Sequence, residues 1–429
     1  MSMAQTWIQV EVALAESEAE AGVIPAEAAR DIAAAARSNT MDMVALGREV
    51  EATSHPLVPL IRALESGCEN GSGQYLHWGA TTQDIIDTGT VLLVKRGLIL
   101  IEERLAALHG RLVDLAEQYR DLTMVGRTHG QHALPITLGF KFAVIACEVG
   151  RHLDRIGDVR KRALVGQLGG AVGTLASLGP RGLEVQRRMF EKLGLGVPVI
   201  AWHSARDGLA EVVAALCMVA ATGGKVANEV RILQGTEIGE LEEPNPRGKI
   251  GSSTMPHKRN PMVAENIVAA SKVTRQSVAL ALEAMVQEHE RDMGLWGVEW
   301  SVIPETFVLT GGILEKCAWI LDGLAVNRTA VTRNLALLGG LMMSEAVMME
   351  IAGQVGRSTA HELLSEVCMR AFESGTPLRE AILEHPDLME VLGGESRLDD
   401  LLSPARYVGL AAQFVDRAVA YEKRRGLRD

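Results

Sequence analysis

The chain has 429 residues, of which 47% are hydrophobic and 23% charged, with a formal net charge of −11 at pH 7. That length and balance suit a globular chain with a large core and two or three domains. The acidic sign argues against nucleic-acid binding by a general basic surface, while a local cluster of cations still allows a small anionic substrate.

Aromatic residues make up only 4%, and Ala, Leu, Glu and Met dominate, which favours helix. Residues 4–21 place apolar side chains at helical spacing, and Gly22 ends the run. A second short helix is predicted from Pro25 to Arg37. A third region, helical with interruptions, runs to Gly73, with a helix start at Ser54-His55-Pro56 and Pro56 in its first turn. The run His77 to Thr88 follows. Thr81 and Thr82 before Asp84 read as an N-terminal cap for a long helix from about Gln83 to Tyr119. Capping and ligand binding use the same groups, so the two readings coexist.

A second polar cluster, Gly126-Arg127-Thr128-His129-Gly130-Gln131-His132-Ala133-Leu134-Pro135, reads as a loop, with helix resuming from Ile136 to about Arg162. His129 and His132 lack a carboxylate or cysteine at short spacing, so no metal site is expected there. The glycine-rich stretch 166–179 is a loop with close backbone approach. It is no dinucleotide fingerprint, because helix rather than strand precedes it. Leu209 to Leu233 is apolar nearly all round, as a deeply buried helix would be. Helices are predicted from Met262 to about Glu288 and from Val298 to Leu321. A smaller helical set at 344–425 is broken at Gly375, Pro377, Pro386 and Gly393-Gly394. No succession of period-two runs occurs, so the expected class is all-α. The expected division is an N-terminal helical domain at 1–90, a central long-helix bundle at 91–335 and a small helical domain at 336–429.

Five scattered cysteines without a CxxC pair suggest reduced thiols and a cytoplasmic setting. The glutamate-rich first thirty residues do not read as a signal peptide. No charge-free apolar stretch of about eighteen residues suggests a membrane span.

The densest chemistry lies at Gly251-Ser252-Ser253-Thr254-Met255-Pro256-His257-Lys258-Arg259-Asn260-Pro261. The preceding run to Lys249 is broken by two prolines and cannot be regular. Arg247, Lys249, Lys258 and Arg259 gather cations in an acidic chain. A Gly-Ser-Ser turn offers N–H groups and hydroxyls to an anion, and the helix that follows adds its N-terminus. These eleven residues resemble the signature loop of the fumarase/aspartase superfamily, Gly-Ser-Ser-x-Met-Pro-x-Lys-x-Asn, and the clusters at 77–88 and 126–135 resemble its other two signature regions. The resemblance covers nearly the whole chain.

It implies a central bundle of long helices that associates into a homotetramer, with each active site built from three subunits. It also implies β-elimination from a succinyl-type di- or tricarboxylate with release of fumarate, or the reverse addition, without cofactor, metal, nucleic acid or membrane. The match places the base at Ser252 and the general acid at His129. Glu265 would be the carboxylate that orients this histidine. Lys258 and Asn260 would hold one substrate carboxylate, and Thr81 and Thr82 another. Thr128, Gln131, Ser253, His77 and Arg291 are further binding candidates. The segment His289 to Trp300 lacks the run with which adenylosuccinate lyases grip a nucleotide. Its Trp-x-x-Glu-Trp pattern resembles the 3-carboxy-cis,cis-muconate cycloisomerase branch, whereas His129-Gly130 stand where typical cycloisomerases carry Trp-Leu. The expected function is therefore a C–N or C–O lyase of that branch. The lactonising cycloisomerase is the alternative, ahead of adenylosuccinate lyase or an inactive structural homologue.

Overall fold

The computed structural model describes residues 3–38, 42–249 and 251–425. Ile250, directly before the signature loop, lies outside them. The fold is all-α. Helix α1 (Met3–Glu20) ends at Gly22, whose φ of +72° suits glycine, and α2 (Ala26–Ser38) follows Pro25. Helix α3 (Met43–Thr53) is capped by Asp42, which accepts from the N–H groups of Val44 and Ala45. Helix α4 (Val58–Glu65) starts later than the sequence suggests. His55 lies ahead of it, and its Nδ1 accepts from the N–H groups of Leu57 (3.3 Å) and Val58 (3.1 Å). Pro59, not Pro56, takes the first-turn position.

Helix α5 (Thr82–Gln118) has 37 residues. The polar cluster after it is not an open loop. Strands β1 (Thr123–Thr128) and β2 (Gln131–Thr137) form an antiparallel hairpin with an irregularity between Val125 and Arg127. The pair is too short to leave a clear period-two pattern. It delays the next helix, α6 (Leu138–Ala163), to two residues beyond Ile136. Helices α7 (Gly182–Leu193) and α8 (Asp207–Leu233) come next, then strand β3 (Leu241–Glu242), α9 (Met262–Glu283), α10 (Met293–Asp322) and strand β4 (Ala325–Val326), which pairs with β3. Helix α10 starts five residues before the expected Val298, because Asp292 accepts from the N–H groups of Gly294 (2.9 Å) and Leu295 (3.3 Å). It also continues through Pro304. The chain closes with α11 (Arg328–Ala336), α12 (Ser344–Val355), α13 (Arg357–Ser374), α14 (Leu378–Leu383), α15 (Pro386–Leu392), α16 (Glu395–Leu401) and α17 (Ala411–Arg425). The expected breaks hold: Gly375 and Gly393 cap α13 and α15 in the left-handed conformation.

Two compact units divide the chain. The first comprises 1–103, 154–218 and 273–311, and the second 104–153, 219–272 and 312–429. The first is built on Val10, Leu14, Ile32, Leu60, Ile85 and Phe190, all without exposed surface. The second has an apolar core among α12 to α16, including Val347, Ile351, Leu378, Ile382 and Leu398. Among the described residues one helix, α8, is apolar enough by composition to cross a membrane, but 72% of its apolar window is buried in the protein, as in a core helix.

Candidate active site

In the first unit the functional side chains gather at the N-terminus of α5. Asp84 lies in its first turn, where the helix dipole favours a carboxylate, and is fully buried. Its Oδ2 accepts from the Thr81 N–H at 2.9 Å, the reciprocal half of a capping box. Oδ2 also accepts from Gly170 N, and Oδ1 from Gly169 N, both at 2.9 Å; His203 Nε2 lies 2.7 Å from Oδ1. Asp84 therefore ties the start of α5 to the glycine-rich loop. Gly170 has φ +71°, and a Cβ on Gly169 would come within 2.9 Å of Gly173 Cα. That is why this loop is glycine-rich.

One turn on, Asp87 accepts from Arg206 Nη1 (2.6 Å), Arg206 Nη2 (2.9 Å) and Trp296 Nε1 (2.8 Å). Arg206 also donates to Glu299, from Nε at 2.9 Å. Burial works against the arginine's charge, but Asp87 and Glu299 outweigh it and hold the guanidinium ionised. Burial pushes the Glu299 carboxyl up, with Arg206 pulling the other way. The Trp-x-x-Glu-Trp pattern thus contributes two groups to a buried polar network.

Above this base sit the two threonines. Arg291 Nη1 donates to Thr81 Oγ1. Thr82 Oγ1 lies 3.3 Å from His55 Nε2. His55 Nδ1 already accepts two backbone N–H groups, so the proton of a neutral ring is on Nε2, and Thr82 accepts it. Both hydroxyl oxygens are engaged as acceptors, which leaves their protons for an outside acceptor such as a carboxylate. His77 belongs to the same stretch, with Nδ1 2.7 Å from Glu11 Oε1.

In the second unit His129 and Gly130 form the two-residue turn of the β1–β2 hairpin, with φ +52° and +77°. Two positive values in succession match the mirror-image turns that suit hairpin twist. His129 is exposed at the tip, and Thr128 and Gln131 pair across the strands beside it. Gly126 is required at the irregularity: a Cβ there would meet Leu134 O at 2.7 Å. The hairpin is anchored by Arg127, which donates to Glu240 at 2.9 and 2.7 Å, and Asn334 Nδ2 donates to Glu240 at 2.8 Å. Burial, then the Arg127 charge, lower the His132 pKa, with Glu240 pulling the other way.

The signature loop folds back on itself. Asn260 Nδ2 donates to Gly251 O at 2.7 Å, and a Cβ on Gly251 would meet Lys258 O at 2.3 Å. Ser252 Oγ accepts from the N–H groups of Met255 (3.0 Å) and Thr254 (3.3 Å). Buried Glu243 organises the surroundings. It accepts from Lys249 Nζ at 2.6 Å and from Ala264 N at 2.9 Å at the start of α9. Arg259 pairs with Glu242 at 2.9 Å. Among the described residues no ion pair engages Lys258, so its ammonium remains for a ligand. Ser253 and Lys258 are exposed, as is Glu265 in the first turn of α9.

The structure thus brings Thr81 and Arg291 into contact. It does not join His129 to Glu265: among the described residues no hydrogen bond links them. Asn260 closes the loop instead of standing free. Sequence reasoning missed Asp84, His55, Glu240 and Glu243 as supports. Only Asp84 left a local signal, three residues after Thr81; Glu243 reaches Lys249 and Ala264 across 6 and 21 residues, His55 reaches Thr82 across 27 and Glu240 reaches Arg127 across 113.

The first unit offers two threonine hydroxyls, and the second an imidazole, an ammonium and backbone N–H groups; each set is suited to a carboxylate, and the second also to proton transfer. The chain matches the family model described as lyase over residues 1–274 and that described as adenylosuccinate lyase C-terminus over residues 340–418. It is 41% identical over 419 residues to N-acetyl-S-(2-succino)cysteine lyase of Enterococcus italicus, covering 98% of this chain and 92% of the relative. It is 42% identical over 419 residues to 3-carboxy-cis,cis-muconate cycloisomerase of Pseudomonas aeruginosa, covering 97% and 91%. The crystal structure of fumarate lyase from Mesorhizobium sp. BNC1 superposes with a TM-score of 0.92 at 42% identity, covering 98% of this chain and 95% of that one.

Proposed function

Because the chain belongs to the lyase family of the fumarase/aspartase superfamily, we propose that it eliminates fumarate from a succinyl adduct of a small molecule. Ser252 removes the proton from the carbon beside a carboxylate. The electrons pass into that carboxylate as a dianionic aci-acid, then return to break the bond from the neighbouring carbon to its heteroatom. His129 protonates the departing atom, with Glu265 orienting it. Lys258 and the loop amides stabilise the dianion. Thr81 and Thr82 hold the second carboxylate. Asn260, Thr128, Gln131, Ser253, His77 and Arg291 complete the binding set.

The observation that carries this reading is the pair of N–H groups on Ser252 Oγ. A serine hydroxyl is too weakly acidic to serve as a base unless its anion is stabilised, and two fixed donors supply part of that stabilisation. The unpaired His129 and Glu265 fit a homotetramer in which three chains complete each site. The cytoplasmic setting and the three-domain division at 1–90, 91–335 and 336–429 belong to the same proposal.

The heteroatom is nitrogen or oxygen on the sequence reading; the relative named as a succinocysteine lyase adds sulfur. The cycloisomerase is a second reading, favoured by the Pseudomonas aeruginosa relative. The two separate by substrate. S-, N- and O-succinyl adducts and 3-carboxymuconate are each incubated with the enzyme, and fumarate or lactone is quantified. Fumarate from an adduct is expected. Lactone from 3-carboxymuconate, with no fumarate from any adduct, would replace the lyase by the cycloisomerase.

A further inference from the structure

We propose that Glu11, on α1, is a positioning residue for the candidate site: it fixes the ring of His77 through Nδ1–H and holds it as the imidazolium, so that Nε2 as well as Nδ1 carries a proton and is presented to an anionic substrate as an N–H donor. This rests on the reading above for the identity of the substrate, but not for the behaviour of His77.

Glu11 comes from a helix 66 residues away in sequence, yet its Oε1 lies 2.7 Å from His77 Nδ1. The glutamate side chain is fully buried, while the imidazole keeps 20% of its surface exposed. The buried end of the ring is therefore the end that Glu11 holds. Glu11 Oε2 has no partner among the described residues, so His77 is the group that neutralises this carboxylate. A buried carboxylate without such a cation is strongly disfavoured.

The backbone agrees. His77 has φ +58°, a left-handed conformation that costs a non-glycine residue and persists where the surroundings hold it. Gly79, two residues on, has φ +70°, and a Cβ there would meet Leu178 Cδ2 at 2.7 Å. The segment leading to Thr81 and Thr82 is thus bent into place, with the Glu11 pair at its head.

Two other acids bear on the pair. Asp84, on α5, adds its charge. Burial lowers the His77 pKa, but the hydrogen bond and charge of Glu11, followed by Asp84, outweigh it and raise the value. Glu18 lies two turns along α1 from Glu11 and is fully buried, with both oxygens unpartnered among the described residues. Burial and the charge of Glu11 push its carboxyl up to about 9. At neutral pH Glu18 is therefore uncharged and adds no charge beside the Glu11–His77 pair.

The test uses the full-length enzyme and two variants, Glu11→Gln and Glu11→Asp, with folding checked by circular dichroism. Glu11→Gln keeps an acceptor of the same size and removes the charge; Glu11→Asp keeps the charge. Carbethoxylation of His77 by diethyl pyrocarbonate, mapped by peptide mass, is followed against pH, because only the neutral ring reacts. In Glu11→Gln the midpoint should fall by about one pH unit, with KM near pH 8 rising about tenfold and kcat changing little. Glu11→Asp should restore most of both. An unchanged midpoint in Glu11→Gln overturns the proposal. A shifted midpoint with an unchanged pH profile of kcat/KM also overturns it, because His77 would then not meet the substrate. If no succinyl adduct is turned over by the wild-type enzyme, the proposed function fails while the pH midpoint still decides the role of Glu11.

Discussion

Replacing Asp84 by asparagine should damage both stability and substrate binding. The buried carboxylate engages four groups: His203 Nε2 and Gly169 N at Oδ1, and Gly170 N and Thr81 N at Oδ2. Asparagine has the same shape but only one acceptor oxygen. With the amide nitrogen on the Oδ2 side, the N–H groups of Thr81 and Gly170 face another donor. Turned over, Gly169 N and His203 face it instead, and only the histidine can answer by changing tautomer. A buried donor left without a partner costs about 1–3 kcal/mol. Two such donors amount to roughly 2–6 kcal/mol of unfolding free energy; the turned-over amide leaves Gly169 N alone and about 1–3 kcal/mol, still a large share of ordinary stability. Urea unfolding at one fixed protein concentration measures this, since an oligomer's stability depends on concentration. KM should rise as well, because either orientation breaks part of the tie that holds Thr81 against the glycine loop. A loss below about 1 kcal/mol with unchanged kcat/KM would refute the view that Asp84 holds the threonines in place.

Mixing inactive Ser252→Ala and His129→Ala subunits should restore part of the activity, because a site drawing these residues from different chains can escape both lesions. No recovery after confirmed subunit exchange would place both residues of a site on one chain. Glu18→Gln should gain stability over the wild type as pH rises. The folded carboxyl titrates near 9 against 4.5 unfolded, so between those values the unfolded state binds fewer protons and the wild type loses stability with pH. Glutamine removes that slope, and a difference that stays constant from pH 5 to pH 8 would contradict the burial of Glu18. Gly126→Ala should cost roughly 1–3 kcal/mol and most of the turnover, since the added carbon meets the Leu134 carbonyl and displaces the His129 turn; a crystal structure of the variant with an unmoved hairpin would count against this.

The helices were legible because burial writes a period into the sequence, and their ends were legible where glycine or proline marks them, as at Gly22, Gly375 and Gly393. The errors have local causes. A histidine ring took the first N–H groups of α4, and Asp292 opened α10 early. In the sequence the hairpin at 123–137 resembles a loop, because its strands are short and interrupted by Gly126 and Pro135. The signature loop was legible as a contiguous string. Its supports were not, because Glu240 and Glu243 look like any acidic pair until Arg127, Asn334 and the start of α9 are folded against them.

Those supports explain how an acidic chain can present a surface suited to anions. The buried carboxylates that support the candidate groups are already occupied: Asp84 by three N–H groups and His203, Asp87 and Glu299 by Arg206, Glu240 by Arg127 and Asn334, and Glu243 by Lys249 and the start of α9. Each lies beneath a turn or a helix start, where its charge fixes backbone and attracts no cation from solution. What remains at the tips is of the opposite kind: the threonine protons, the His129 ring and the Lys258 ammonium. Net charge therefore predicts little about this site. The sign that a substrate meets depends on which charges are spent on structure, and here Asp84, Asp87, Glu240, Glu243 and Glu299 are spent while donors and a cation remain.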